Sequence, residues 1–181
     1  MSDRPIIASI VEGFGEVPAV PIIVSRIAGE IYGRFDVVTP KSHRIKRNQI
    51  PGEALNKAVT FQSARIESNG GVLVLVDADD DCAVQLAAGI LASRVTVRVE
   101  AAVAVREYES WFLAGVESLR SHRAVLENAV YNGNPELRRG AKEALRSLMN
   151  EKYSETLHQP AFSRLVSLEM AMKSPSFSHL V

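Results

Sequence analysis

The sequence predicts an α/β fold in which a mostly parallel sheet is flanked by helices. Apolar runs at residues 6–11, 72–76 and 101–105 lack polar alternation, which is typical of strands buried on both faces. Segments with helical periodicity separate these runs, so strands and helices alternate over the first part of the chain. The length of 181 residues suits one domain with a sizeable core.

Each predicted element has a local signature. Strands are predicted at residues 6–11, 35–38, 72–76 and 95–105, and helices at residues 17–32, 51–67, 82–93 and 108–114. Pro18 and Pro21 fall in the first turns of the first helix, where proline is best tolerated. Gly33 suits the end of that helix, and Asn-Gly-Gly at residues 69–71 ends the second one. A basic loop at residues 40–47 follows the second strand.

Beyond residue 115 the sequence pattern is helical. Helices are predicted at residues 119–128, 135–151 and 160–173, with polar breaks at residues 132–134 and 158–160. Apolar stripes that include Leu137 and Phe162 indicate packing on the core. We therefore predict an α/β core at residues 1–117 and a helical extension at residues 118–181, packed together as a single domain.

Composition narrows the functional classes. The formal net charge is zero, so binding to a polyanion requires a local basic patch. The single cysteine, Cys82, excludes an intramolecular disulfide. No apolar run reaches the ~18 residues of a membrane span, and the first residues lack the features of a signal peptide. We expect a cytoplasmic protein that does not associate with membranes.

An acidic run, Asp77-Ala-Asp-Asp-Asp81, directly follows the apolar strand at residues 72–76. Four crowded aspartates repel one another, and a divalent cation would remove that cost. Asp77 and Asp79 alternate along an extended chain, so both can face one ion, and their oxygens suit Mg²⁺, Mn²⁺ or Ca²⁺. We assign Asp80 and Asp81 to the helix start or to the outer shell. The alternative is a solvated turn that leads into an acidic helix start.

Glutamates follow two other predicted strands. Glu12 comes directly after the first strand, and Glu16 lies near it if the intervening turn is tight. Because parallel strands present their carboxyl ends at one edge, Glu12 and the aspartates converge if their strands are neighbours. Glu107 and Glu109 follow the fourth strand and are candidates for a second metal site or for orienting its ligands. Solvated turns and helix capping remain the alternatives for these residues.

A basic cluster follows the second predicted strand. Its members are Lys41, His43, Arg44, Lys46 and Arg47. With zero net charge, such a local cluster is what contact with phosphates or nucleic acid requires. We therefore predict phosphate binding by the whole cluster, with Lys41 and Arg44 also acting in catalysis by offsetting transition-state charge. A solvated loop is the alternative.

Two strand-end motifs resemble the Toprim domain of topoisomerases, primases and overcoming-lysogenization-defect nucleases. The matching residues are Val11-Glu12-Gly13 and Asp77-Ala-Asp79. Over most of its length the chain also resembles a bacterial family of unknown function and Toprim-like fold, domain-of-unknown-function family 4276. This longer resemblance is carried by residues 11–20, 73–81 and 105–113, and in the tail by Tyr153, Gln159-Pro160 and residues 174–177.

The Toprim resemblance implies a Toprim-like (Rossmann-like) fold and particular residue roles. It implies proton transfer or metal binding by Glu12, and Mg²⁺ binding by Asp77 and Asp79. From the nuclease branch it implies a second-metal role for Glu16. The two extra aspartates depart from the motif, so their participation stays open. Topoisomerase and primase activities are not expected of this chain alone.

Two functional hypotheses follow. The first is a nuclease or other phosphodiester hydrolase that uses Mg²⁺ or Mn²⁺, with a role in phage defence or a mobile element suggested by the resemblance. Its predicted ligands are Glu12, Asp77 and Asp79 for one ion, and Glu16 with Glu107 or Glu109 for a second. The second hypothesis is a non-catalytic metal-binding module that partners an ATPase or another protein, and a homodimer is a further alternative. Aspartate phosphotransfer, a third hypothesis, lacks the acidic pair expected after the first strand.

Overall fold

Four parallel strands form the centre of the structure, a computed structural model that describes residues 4–66, 69–92, 97–137 and 139–181. The strands are β1 (Ile6–Val11), β2 (His43–Arg44), β3 (Gly70–Asp77) and β4 (Val99–Ala104). They lie in the order β2-β1-β3-β4, with Ile10 paired to both His43 and Val74. The predicted α/β architecture with a parallel sheet and flanking helices is confirmed.

Eight α-helices lie within the described residues. They are α1 (Glu16–Arg26), α2 (Glu53–Ser63), α3 (Ala83–Leu91), α4 (Glu109–Ala114), α5 (Ala141–Ser147), α6 (Glu155–Leu165), α7 (Leu168–Ala171) and α8 (Pro175–Leu180). A π-helical turn, Ile27–Ile31, continues α1, and 3₁₀ helices span Arg47–Gln49 and Val116–Ser121. None of the described helices has the length and apolar character that crossing a bilayer requires.

The two faces of the sheet bury different helices. Leu73 and Leu75 of β3 pack in one cluster with α1, α4 and the C-terminal helices. Val74 and its even-numbered neighbours pack in a second cluster with α2 and α3. Side chains alternate between the faces of a strand, so Asp77, which ends β3, falls on the same side as Leu73 and Leu75. The last residue of β3 therefore faces α1 and the C-terminal helices.

The second strand is not where the sequence predicts it. Residues 35–38 form no strand: Val38 makes one isolated bridge to Ile6, and Phe35 is exposed. The edge strand is instead His43–Arg44, within the predicted basic loop. The physical reason is the burial of Ile45, whose backbone N–H donates to the carbonyl of Val11 at 2.9 Å.

The C-terminal helices are shorter than predicted and begin elsewhere. Residues 122–128 are not helical, and among the described residues of the range 135–151 only α5 is an α-helix. The predicted break at residues 158–160 is wrong, because His158 and Gln159 are buried inside α6. His158 Nε2 bonds Glu151 and Gln159 Nε2 donates to Glu109, so both polar side chains have tertiary partners while they lie within the helix. Leu137, predicted to pack on the core, is exposed.

Parts of four predicted elements lie outside the described residues. They are the end of the second helix at Glu67, the end of the third helix at Ser93, the start of the fourth strand at residues 95–96 and residue 138 of the helix predicted at residues 135–151. The extension shares its core with the sheet, since Phe162 of α6 and Phe177 of α8 belong to the same hydrophobic cluster as Val11.

Replacing Phe162 by alanine tests whether the extension is integral to the fold. Phe162 is fully buried and its ring contacts those of Phe112, His122 and His158. We expect Phe162→Ala to lower the free energy of unfolding by about 3–5 kcal/mol in urea denaturation, because a large cavity remains. Leu157→Ala, on the same helix but 69% exposed, should change it by less than about 0.5 kcal/mol. Equal effects would contradict a shared core.

Candidate metal centre

The acidic residues meet at the point where the strand order reverses. The chain crosses from β1 outward to β2, and later from β3 outward to β4, so a crevice opens beyond the carboxyl ends of β1 and β3. Glu12 follows β1 and Asp77 ends β3. The backbone N–H of Asp77 donates to Glu12 Oε1 at 2.8 Å. The two strand ends that the sequence analysis links are therefore neighbours.

Glu16 is turned back over the loop between β1 and α1. Its Oε2 atom accepts from the backbone N–H groups of Glu12 at 3.2 Å and Gly13 at 3.1 Å. A Cβ atom at Gly13 would lie 2.8 Å from Glu16 Oε1, so a side chain there would displace this carboxylate. Glycine at this position lets the first buried residue of α1 point its carboxylate at the strand ends.

Glu12, Glu16 and Asp77 form a three-carboxylate cluster. One oxygen from each lies within 4.8 Å of the others. Asp77 Oδ1 is buried, and no donor within the described ranges bonds it. Three carboxylates and an unbonded buried oxygen fit a hard divalent cation, which would take oxygen ligands and keep positions for water or substrate. The cluster can therefore hold a divalent metal ion.

Burial makes these carboxyl groups reluctant to ionise. It raises the pKa of Glu12 and Asp77 above their usual values, and that of Glu16 to about 8. The neighbouring carboxylates raise the pKa of Asp77 further, whereas backbone N–H groups partly oppose the rise at Glu12 and Glu16. A cation in the cluster would lower all three pKa values, because it stabilises the ionised forms.

Glu109 joins the same cleft from the first turn of α4. It is 1% exposed, and its Oε1 atom accepts from the Tyr153 hydroxyl at 2.8 Å and from Gln159 Nε2 at 3.0 Å. Burial raises the pKa of Glu109, which these two donors partly oppose. Both donors belong to the C-terminal extension, which therefore builds part of the site.

Helix α6 packs directly on the loop that carries the cluster. A Cβ atom at Gly15 would lie 2.5 Å from the carbonyl oxygen of Glu155, so only glycine permits this approach. Lys142 Nζ lies 2.5 Å from Glu155 Oε1 at the rim of the cleft. Burial alone would lower the pKa of Lys142. The hydrogen bond to Glu155 and the negative charges of Glu155, Glu109 and Glu107 outweigh burial and raise this pKa above its usual value. Lys142 is therefore a cation at neutral pH.

The extension's contribution escapes the sequence analysis. The residues missed are Lys142, Tyr153, Glu155 and Gln159. Tyr153 and Gln159 belong to the tail part of the family resemblance, and this resemblance is the one sequence signal that could have indicated their role. No spacing or periodicity connects them with the strand ends, because they reach the cleft only through tertiary packing of the C-terminal extension on the α/β core.

The other aspartates take different positions from Asp77. Asp79 lines the cleft but is exposed and lies outside the three-carboxylate cluster. Its left-handed backbone, with φ of 49°, ends the alternation that the sequence analysis assumes. Asp80 pairs with Arg106 at 3.0 Å and Arg139 at 2.6 Å. Asp81 pairs with Arg47.

Glu107 faces away from the cluster, although it is only two residues from Glu109. Its Oε2 atom accepts from the backbone N–H of Lys142 at 2.8 Å. It lines a separate cleft with Asp80 and Arg106. Of the two acids predicted after β4, only Glu109 is placed beside the cluster.

The basic residues divide between the cleft and its surroundings. Arg44, Lys46 and Arg47 line the cleft, whereas Lys41 and His43 lie outside it. Arg47 Nε is 3.8 Å from Glu12 Oε2, which makes Arg47 the cation nearest to the cluster among these. Strand geometry explains the division of Arg44 from His43, because neighbouring residues of β2 point to opposite faces.

The cleft that these residues enclose is about 320 Å³ in volume. The family described as Domain of unknown function (DUF4276) matches residues 11–181. The chain belongs to this family. All the cleft residues, from Glu12 to Gln159, fall within the matched segment. No curated protein and no solved structure gives a match, so the family's chemistry must be inferred from the site itself.

Calorimetric titration with Mn²⁺ tests the composition of the metal site. We expect Glu12→Gln and Asp77→Asn to weaken binding by about tenfold or more, because each removes a charged oxygen ligand. Glu107→Gln is the matched control, since its carboxylate faces the separate cleft and its loss should leave the affinity unchanged. Equal losses in all three variants would contradict the three-carboxylate cluster.

The raised pKa values also predict how stability depends on pH. The folded state binds more protons than the unfolded state between the ordinary glutamate pKa of 4.5 and the Glu16 value of about 8. Stability without metal should therefore fall as pH rises through this window, and Mn²⁺ should raise the melting temperature more at its upper end than at its lower end. Thermal denaturation of wild type and Glu16→Gln checks this. The slope should be shallower in the variant, and an unchanged slope would contradict the assignment.

Proposed function

We propose that the chain is a Mg²⁺- or Mn²⁺-dependent hydrolase of phosphodiester bonds in nucleic acid. The observation that carries this proposal is the cluster of Glu12, Glu16 and Asp77 at the strand-order reversal, with Asp77 Oδ1 buried and unbonded. Opposite charge lines the same cleft, in Arg44 and Lys46. Carboxylates that hold a cation beside groups that hold a phosphate are the requirement for such hydrolysis.

The acidic residues of the cleft have distinct roles in this proposal. A bound divalent cation supplies Lewis acidity and lowers the pKa of a coordinated water. Glu12, Glu16 and Asp77 hold that cation, and the hydrogen bonds to Glu12 and Glu16 fix their orientation. Glu109 supports a second position for a cation, or orients the first ligands through its bonds to the extension.

Cations on two sides of the cleft would hold the phosphate. Arg44, Lys46 and Arg47 lie on the β2 side, and Lys142 lies on the side of the extension. Fixed positive groups directed at a phosphate offset the charge that develops in the transition state. The Arg47 guanidinium, already 3.8 Å from Glu12, would have to shift toward a phosphate if it is to take part.

The Toprim resemblance supports the same proposal. Glu12 and Asp77 occupy the positions that the resemblance assigns to metal chemistry, and they belong to one cluster. Asp79 departs from this pattern, because it lies at the edge of the cleft rather than in the cluster. We propose that the ancestral relation is to Toprim nucleases, and that Asp79 acts through water or on a second ion.

A cleavage assay tests the proposed function. Wild-type protein should cleave members of a panel of single- and double-stranded DNA and RNA with Mg²⁺ or Mn²⁺, and not with EDTA. Glu12→Gln and Asp77→Asn should lower the rate by about two orders of magnitude while the circular dichroism spectrum stays native. Glu169→Gln, an exposed acid on α7, is the control and should keep full activity.

Two outcomes would contradict this proposal. Unchanged cleavage in both active-site variants would sink the mechanism, because the activity would then come from elsewhere. Mn²⁺ binding without cleavage of any substrate, together with a stable protein partner, would favour the non-catalytic interaction module.

A further inference from the structure

Phe14 is an exposed aromatic side chain at the lip of the acidic cleft. It lies midway between Glu12 and Glu16 in the loop after β1, and 65% of its surface is exposed. A single exposed apolar residue is common on protein surfaces and by itself indicates no function. Two further observations set Phe14 apart: its loop is tightly held, and an unpaired cation covers its ring.

The loop is packed on both sides of Phe14. A Cβ atom at Gly13 would lie 2.8 Å from Glu16 Oε1, and one at Gly15 would lie 2.5 Å from the carbonyl oxygen of Glu155. The backbone on either side therefore touches other groups closely. Phe14 is held outward on a fixed support, and its exposure does not arise from a loosely packed loop.

Arg44 covers one face of the Phe14 ring. The guanidinium carbon lies 3.7 Å from the ring centroid, which is cation–π geometry. Arg44 Nε is buried without a hydrogen-bond partner, and among the described residues no carboxylate pairs with Arg44. The stacked pair thus combines an aromatic surface with a positive charge that the protein does not neutralise.

Among the described residues that line the cleft, the cations without a carboxylate partner lie on the β2 side. Lys46, beside Arg44 at the cleft, likewise has no carboxylate partner within the described ranges. In the separate cleft beyond the end of β4, Arg106 and Arg139 both pair with Asp80. A polyanion would therefore meet uncompensated charge at the β2 side, next to Phe14, and not at the side of Asp80.

We propose that Phe14, supported by Arg44, is a stacking platform for an unpaired base of single-stranded nucleic acid. The inference rests on the proposed function, because the stacked nucleotide would bring its neighbouring phosphate to the three-carboxylate cluster. Proteins bind single strands by combining exposed aromatic rings with a basic groove, and bases in an intact duplex are not free to stack this way. The substrate class is thus a single strand, an unpaired loop or an unpaired end.

Fluorescence anisotropy with labelled oligonucleotides tests the platform. The probes are oligothymidylate and oligouridylate of about 15 nucleotides and a DNA duplex of the same length, with Ca²⁺ to fill the oxygen site and a gel to verify intact probes. Phe14→Ala should raise the Kd for both single strands about five- to one-hundredfold, since one base loses its stacking partner. Phe14→Trp should bind as wild type does.

Phe35→Ala is the matched control. Phe35 is 81% exposed and lies near Val38, whose bridge to Ile6 places it at the opposite end of the sheet. Its loss should leave all Kd values unchanged. Mn²⁺ affinity should also be the same in Phe14→Ala and wild type, which shows that the loop between Glu12 and Glu16 stays folded.

Three outcomes would overturn the platform. They are wild-type affinity of Phe14→Ala for single strands, equal affinity of the wild type for duplex and single strands, and no binding of either single strand. Failure of the proposed hydrolase is a separate result: Phe14-dependent binding without cleavage would retain the platform and reject the hydrolase. Metal-dependent cleavage that is unchanged in Phe14→Ala would retain the hydrolase and reject the platform.

Discussion

The hydrogen bond from the backbone N–H of Asp77 to the carboxylate of Glu12 joins the ends of β1 and β3. It lies where the strand order reverses, and it holds two carboxyl groups together that would otherwise repel each other. Glu16 is held against the same point by the N–H groups of Glu12 and Gly13. Backbone donors thus supply part of the compensation for crowding acids in a buried place. A bound cation would offset the remaining repulsion, and Asp77 Oδ1, which is buried without a hydrogen-bond donor among the described residues, is a free ligand atom for it.

Much of the centre of this site was predictable from sequence. Unbroken apolar runs identify β1 and β3 as buried parallel strands, and parallel strands must present their last residues at one edge. Glu12 and Asp77 are therefore expected close together before any side-chain contact is known. The positions of the core helices are also predicted approximately, because a strong helical period of apolar residues is compatible with few other structures. The sheet order, which makes β1 and β3 neighbours, is set by crossovers that sequence pattern alone does not determine.

The errors have identifiable physical causes. Local pattern favours residues 35–38 as a strand, but burial of Ile45 moves the pairing to His43 and Arg44. Polarity favours a break at residues 158–160, but His158 and Gln159 each bond a glutamate outside α6 and are buried within the helix. Strand alternation predicts that the side chains of Asp77 and Asp79 point in the same direction. Asp79 instead has a left-handed backbone, so the strand geometry does not continue to it. In the first two cases tertiary contacts override a local preference.

The close packing of α6 on the loop at Gly15 has a consequence for synthesis of the protein. The cleft gathers residues from Glu12 near the beginning of the chain to Gln159 near its end. During translation the strands and their acids leave the ribosome first, because domains emerge from the N-terminus. Glu109 then has no donors from Tyr153 and Gln159, and the loop has no helix against it. A nascent chain therefore carries an open and incomplete acidic pocket until α6 docks, so the complete cleft forms only after the residues of α6 have been synthesised.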